Sequence, residues 1–164
     1  MDNKITFENG IATFSVNELG EVENQTYMGK FKVRCVLTPL EFIEADHKYR
    51  ELLGRDHPDL AHERTRTLAF ALSQLMARVI EKPPWWQNPG LDGAHIKDDN
   101  IILYVLDMAI EAEEKYRDNI RVEIEKKQEF LTKAIEKGRI VKDPELQDKN
   151  EGDDLDDAPE VDLD

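Results

Sequence analysis

The sequence predicts an α+β protein that is mainly helical: a small N-terminal antiparallel β element, three helices of which the last is long and protruding, and a disordered acidic C-terminal tail. Three observations predict it. Alternating apolar runs fill the first forty residues, helical periodicity fills residues 39 to 137, and the last twenty-two residues are almost all polar. The expected division is a globular β-hairpin plus helical domain over 1–112, an amphipathic charged helix over 113–142 and the tail over 143–164.

Within the β element, ITFENGIATFSV places Asn9-Gly10 between β-prone runs, the dipeptide that best supplies the two positive φ angles of a type I′ turn. A hairpin over about 4–16 is expected, followed by the polar connection NELGEVENQ. TYMGKFKVRCVLT then alternates: Tyr27, Phe31, Val33, Cys35 and Leu37 share one face, and Lys30, Lys32 and Arg34 the other. The basic stripe is read as a solvated, edge-protecting face or as a dock for an acidic segment, including the protein's own tail. Three cations without interleaved aromatics make nucleic acid an unfavoured partner.

Thr38-Pro39-Leu40-Glu41 combines an N-cap, a proline at the first helical position and a capping-box glutamate, with Phe42, Ala45, Tyr49, Leu52 and Leu53 at helical spacing and Gly54 as the stop. A second helix is expected at roughly 58–81, with a stripe of Leu68, Leu72, Leu75 and Val79 widened by Phe70, Ala71, Met76 and Ile80. So broad a stripe belongs to a central, most buried helix. Pro83 and Pro84 end it.

The stretch EKPPWWQNPG holds both tryptophans, Trp85 and Trp86. In an extended, proline-fixed segment neighbours point to opposite sides, so one indole plugs the core while the other faces out. The outward one is a candidate partner anchor.

Asp98 or Asp99 caps the third helix, which meets no proline or glycine before Gly138 and could reach about 60 Å at 1.5 Å per residue. Its first half is apolar through Ile102, Val105, Leu106, Ala109 and Ala112. From Glu111 to Lys137, fifteen of twenty-seven residues are charged, and the apolar side chains thin to Tyr116, Ile120, Ile124, Leu131 and Ile135. That narrow stripe is the second candidate partner surface, for another protein or a homo-oligomer. Sustained heptads are lacking.

The net charge of −14 is uneven: residues 143–164 carry eleven acids and one lysine, net −10, leaving −4 for the rest. With few apolar residues to bury, that segment is expected to be disordered. An acidic DNA mimic, which wants its charge on a folded surface, is therefore disfavoured. The segment also fails the EF-hand pattern, with Gly152, Asp153 and Pro159 at key positions.

No catalytic, cofactor or metal signature appears. His47, His57, His62 and His95 form no ligand pattern, and AHERTR has Arg66 where a zincin needs its second histidine. Cys35, the single cysteine, reads as a buried structural thiol. With no apolar run long enough to span a bilayer and no basic or apolar N-terminal leader, neither a membrane span nor a signal peptide is expected, which suits the cytosol.

GKFKVRCVLTPLEFIEADHKYRELLG, then IEKPPWW and DDNIILYVLDMA, resembles small bacteriophage tail assembly chaperones over residues 27–112. The resemblance implies a non-enzymatic protein of the infected host's cytoplasm that keeps the long tape-measure helix soluble while tail-tube subunits assemble. It brings no discrete functional residues. A virion structural or accessory protein is the alternative expectation.

Overall fold

The computed structural model describes residues 4–54 and 60–136. The acidic segment 143–164, the loop RDHPD and His57 lie outside them. The elements run β1 (Thr6–Glu8), β2 (Ile11–Leu19), β3 (Thr26–Arg34), α1 (Pro39–Leu53), α2 (Glu63–Arg78), β4 (Val79–Glu81) and α3 (Asp99–Glu136), with a short 3₁₀ turn at Pro84–Trp86. This is the α+β arrangement that the patterning predicts. The chain divides into two units, residues 1–121 and 122–164, so the first unit extends nine residues past the expected boundary at 112.

The strands form one antiparallel sheet in the order β1-β2-β3-β4. Asn9 and Gly10 have φ of 49° and 77°, the left-handed pair that a two-residue hairpin turn demands. That turn fixes β1 on β2, with Thr6 opposite Thr13 and Glu8 opposite Ile11. Strand β2 continues through Leu19, so Asn17, Glu18 and Leu19 pair with Met28, Tyr27 and Thr26 where a polar connection was expected. Pairing with β3 outweighs the weak β preference of Asn and Glu.

Alternation along β2 and β3 turns Ala12, Phe14, Val16, Tyr27, Phe31 and Val33 to one face, all buried. The Phe14 and Phe31 rings stack there at 5.7 Å. Ala71 and Leu75 of α2 and Ile101, Ile102, Val105, Leu106, Ala109 and Ala112 of α3 complete the same core.

Helix α1 carries the whole predicted cap: the Thr38 hydroxyl accepts from the Glu41 N–H while the Glu41 carboxylate accepts from the Thr38 N–H. It lies against α2, where Tyr49 meets Phe70 edge-on at 6.3 Å. Its outer side exposes Leu40 and Ile43, and Phe42 of the expected apolar stripe is exposed too.

Helix α2 is shorter than the predicted 58–81. Residues 79–81 instead add a strand to β3, with Val79 opposite Val33 and Glu81 opposite Lys32. β-branched Val79 and Ile80 suit that role better than a last helical turn. The widened stripe fails as well, because Phe70, Met76 and Ile80 are exposed. The most buried helical stretch is the first half of α3, not α2.

Candidate partner-binding surfaces

The two tryptophans occupy a 3₁₀ turn rather than an extended segment. At three residues per turn, neighbours lie about 120° apart instead of 180°. Both indoles can therefore reach one ring: Trp86 meets Phe31 at 5.3 Å and Trp85 meets it at 5.8 Å, both edge-on. Trp86 is only 1% exposed and fills the core. It cannot anchor a partner.

Trp85 is half-buried and equally committed to its own domain. Its Nε1–H donates to the Met28 carbonyl at 2.7 Å, and its ring stands edge-on to Tyr27 at 5.0 Å. Beyond Lys32, β4 no longer covers β3, so this indole occupies one acceptor on an otherwise open strand edge. Close approach depends on two glycines. A Cβ at Gly29 would lie 2.5 Å from Pro83 Cβ, and one at Gly93, whose φ is +78°, would lie 2.7 Å from the Trp86 ring. The notion of one outward indole is thus corrected: the PPWW segment is an internal plug and edge guard.

Of the basic residues, Lys32 pairs with Glu81 at 2.8 Å. Arg34 pairs with Glu41 at 3.3 Å and donates to the Ala77 carbonyl at 2.8 Å. Both therefore tie β3 to its neighbours in the fold, leaving Lys30 as the exposed member on the outer face. The expected dock for an acidic segment loses two of its three charges to local carboxylates.

Asp98 departs from its expected capping role. It is fully buried, and its carboxylate accepts from the Val22 N–H and the Tyr27 hydroxyl, pinning the β2–β3 turn to the start of α3. Burial first, then the Glu23 and Asp98 carboxylates, hold the Tyr27 phenol far above its ordinary pKa. Gly20 makes room, since a Cβ there would lie 2.4 Å from Asp98 Oδ2.

Where β3, α2 and α3 meet, Arg78 is buried and its Nη2 contacts Glu113 Oε2 at 2.7 Å. Burial pushes the Glu113 carboxyl up, but the Arg117 hydrogen bond and the Arg78 charge outweigh it and leave the pKa below the usual range. Cys35 is fully buried, as its alternation predicts, and burial, then Glu113, raise its thiol pKa. A thiol held protonated is a poor nucleophile.

His62 caps α2 by accepting from the Arg64 N–H, and His95 Nε2 lies 3.0 Å from the Trp85 carbonyl. Among the described residues no three His, Cys, Asp or Glu side chains come together as a metal group, and no helix is long and apolar enough to cross a membrane.

The stripe on α3 divides. Tyr116 is half-buried against its own domain, with its ring 6.2 Å from Phe7 and its hydroxyl beside Gly10, so it is not a free contact. Ile120 is the last exposed apolar residue of the first unit. In the second unit Ile124, Leu131 and Ile135 are between 43% and 50% exposed, and Phe130, which periodicity alone did not single out, reaches 73%. Ion pairs between Lys133 and Glu129 and, one turn earlier in the chain, between Arg121 and Asp118 keep the charged faces of the helix satisfied. Comparisons with protein families, with curated proteins and with solved structures gave no match.

Proposed function

We propose that this protein is a non-enzymatic assembly factor of the tail-assembly-chaperone type, acting in the host cytoplasm by holding an apolar helix of a tape-measure or other tail protein. The observation that carries the reading is the row of exposed apolar side chains on α3: Ile124, Phe130, Leu131 and Ile135. At 100° per residue, Ile124, Leu131 and Ile135 fall within about 40° of one another, a strip that suits one partner helix lying alongside. The charged residues between them keep such a strip soluble while it waits.

Trp85 and Trp86 drop out of this reading because both serve the fold. Polar groups remain, but those with resolved pKa shifts have them through ion pairs, capping hydrogen bonds or burial in the sheet–helix junction, which are structural contacts.

The test is co-expression of the full chain with the phage's tape-measure protein. The expected result is soluble tape-measure protein that co-purifies with the chain, and loss of both effects with Ile124→Asp plus Leu131→Asp, whose own fold stays intact. Undiminished co-purification by the double variant would overturn the assignment to α3. Abundant protein in purified particles would replace the chaperone by a virion component.

A further inference from the structure

We infer that the same stripe on α3 pairs with the stripe of a second copy of this chain, antiparallel, covering it until a tail protein displaces the copy. The inference rests on reading the stripe as an interaction surface.

Spacing supplies the first argument. Ile120, Ile124, Leu131 and Ile135 are exposed and separated by four, seven and four residues. That order reads the same in both directions about a point between Lys127 and Gln128. Two antiparallel copies related by a twofold axis at this point set Ile120 against Ile135 and Ile124 against Leu131, so every apolar position meets an apolar position. An isologous contact of this kind closes on itself and stops at a dimer. The steps from Ile120 to Leu131 and from Ile124 to Ile135 are both eleven residues, or 3.67 per turn, so the strip stays straight on an ordinary α-helix with little supercoil. The heptad search misses it for that reason.

Charge supplies the second argument, and it selects the orientation. The chain carries −14, yet residues 122–135 hold three acids, Glu123, Glu125 and Glu129, against three lysines, Lys126, Lys127 and Lys133. This neutral stretch is where two copies of a strongly acidic protein approach at least electrostatic cost. A parallel pair would start both of the following −10 segments, residues 143–164, from the same end. Antiparallel order starts them from opposite ends, where repulsion is screened within about 8 Å at physiological salt.

The middle layer, Lys127 and Gln128, is polar. A polar central layer fixes register at a cost in affinity. The pair is accordingly weak and exchangeable, as a cover that must be displaced requires.

Sedimentation equilibrium on the full chain tests the association, and cysteine crosslinking tests the register. The expected results are a reversible monomer–dimer equilibrium, its loss in Ile124→Asp with unchanged circular dichroism, and at least a tenfold tightening in Lys127→Leu. On mixing singly substituted chains, Ile124→Cys should crosslink to Leu131→Cys, and Ile120→Cys to Ile135→Cys, in preference to like with like. Cys35, fully buried, gives the unsubstituted chain as a clean background. A chain that stays monomeric at all concentrations, or Ile124→Cys that crosslinks chiefly to itself, overturns the inference. A monomer that still holds the tape-measure protein through α3 would overturn self-pairing alone and leave the proposed function standing.

Discussion

Replacing each tryptophan by alanine should give unequal losses, and the order is set by the 3₁₀ turn. Trp86 is 1% exposed and packs edge-on against Phe31 at 5.3 Å and Trp85 at 5.8 Å, with its ring also against Gly93. Deleting a wholly buried indole removes its transfer energy and leaves a cavity, together about 3–5 kcal/mol. With a midpoint shift of about 4 °C per kcal/mol for a unit of this size, Tm should fall by about 12–20 °C.

Trp85→Ala loses less. One hydrogen bond to the Met28 carbonyl is worth about 1 kcal/mol, and partial loss of ring contacts with Tyr27 and Phe31 adds a similar amount, for a total of about 2 kcal/mol. Urea titration followed by far-ultraviolet circular dichroism measures both without relying on the tryptophan signal being removed. A loss for Trp86→Ala below about 1 kcal/mol, or a larger loss for Trp85→Ala, would refute the assignment of core plug and edge guard.

Three further outcomes follow from the contacts. Gly29→Ala should cost about 1–3 kcal/mol, because the new methyl meets the rigid Pro83 ring at 2.5 Å; a neutral result in the same titration would mean the PPWW segment can lift off the sheet. Thr38→Ala should cost about 1 kcal/mol by breaking the capping box, whereas Thr38→Ser should restore most of it.

Stability should also fall at both pH extremes. Tyr27 has a raised folded pKa, so its contribution is complete below the unfolded value of about 10 and is lost as pH rises above it; Tyr27→Phe should flatten that alkaline loss. Glu113 has a depressed pKa, so its contribution is present above the unfolded value and is lost as pH falls through the folded one; Glu113→Gln should flatten the acid limb. Thermal midpoints against pH check both signs.

Much of the fold was legible because its signals are local. Asn9-Gly10 dictates the first turn, the alternation from Tyr27 to Cys35 dictates a half-buried strand, and Thr38-Pro39-Leu40-Glu41 dictates where α1 begins. What went unread depended on partners distant in sequence. Val79–Glu81 continues a helical stripe until β3 offers its edge, Asp98 looks like a helix cap until the β2–β3 turn brings N–H donors and Tyr27 to it, and Phe130 is exposed because no element packs on it. The functional surface was legible in part: Ile120, Ile124, Leu131 and Ile135 stand where periodicity placed them, while Tyr116 is taken by Phe7 from a strand over a hundred residues earlier.

By itself, then, the sequence determined the element types, the hairpin, the cap of α1 and the length of α3, since each follows from backbone preference and the spacing of neighbours. Tertiary structure decided which apolar residues are spare. Trp85, Trp86 and Tyr116 are consumed by contacts with β1 and β3, and Lys32 and Arg34 by carboxylates on β4 and α1. A side chain's type sets how much it gains from burial, but only the packed neighbours decide whether that gain is realised within the chain or left for a partner.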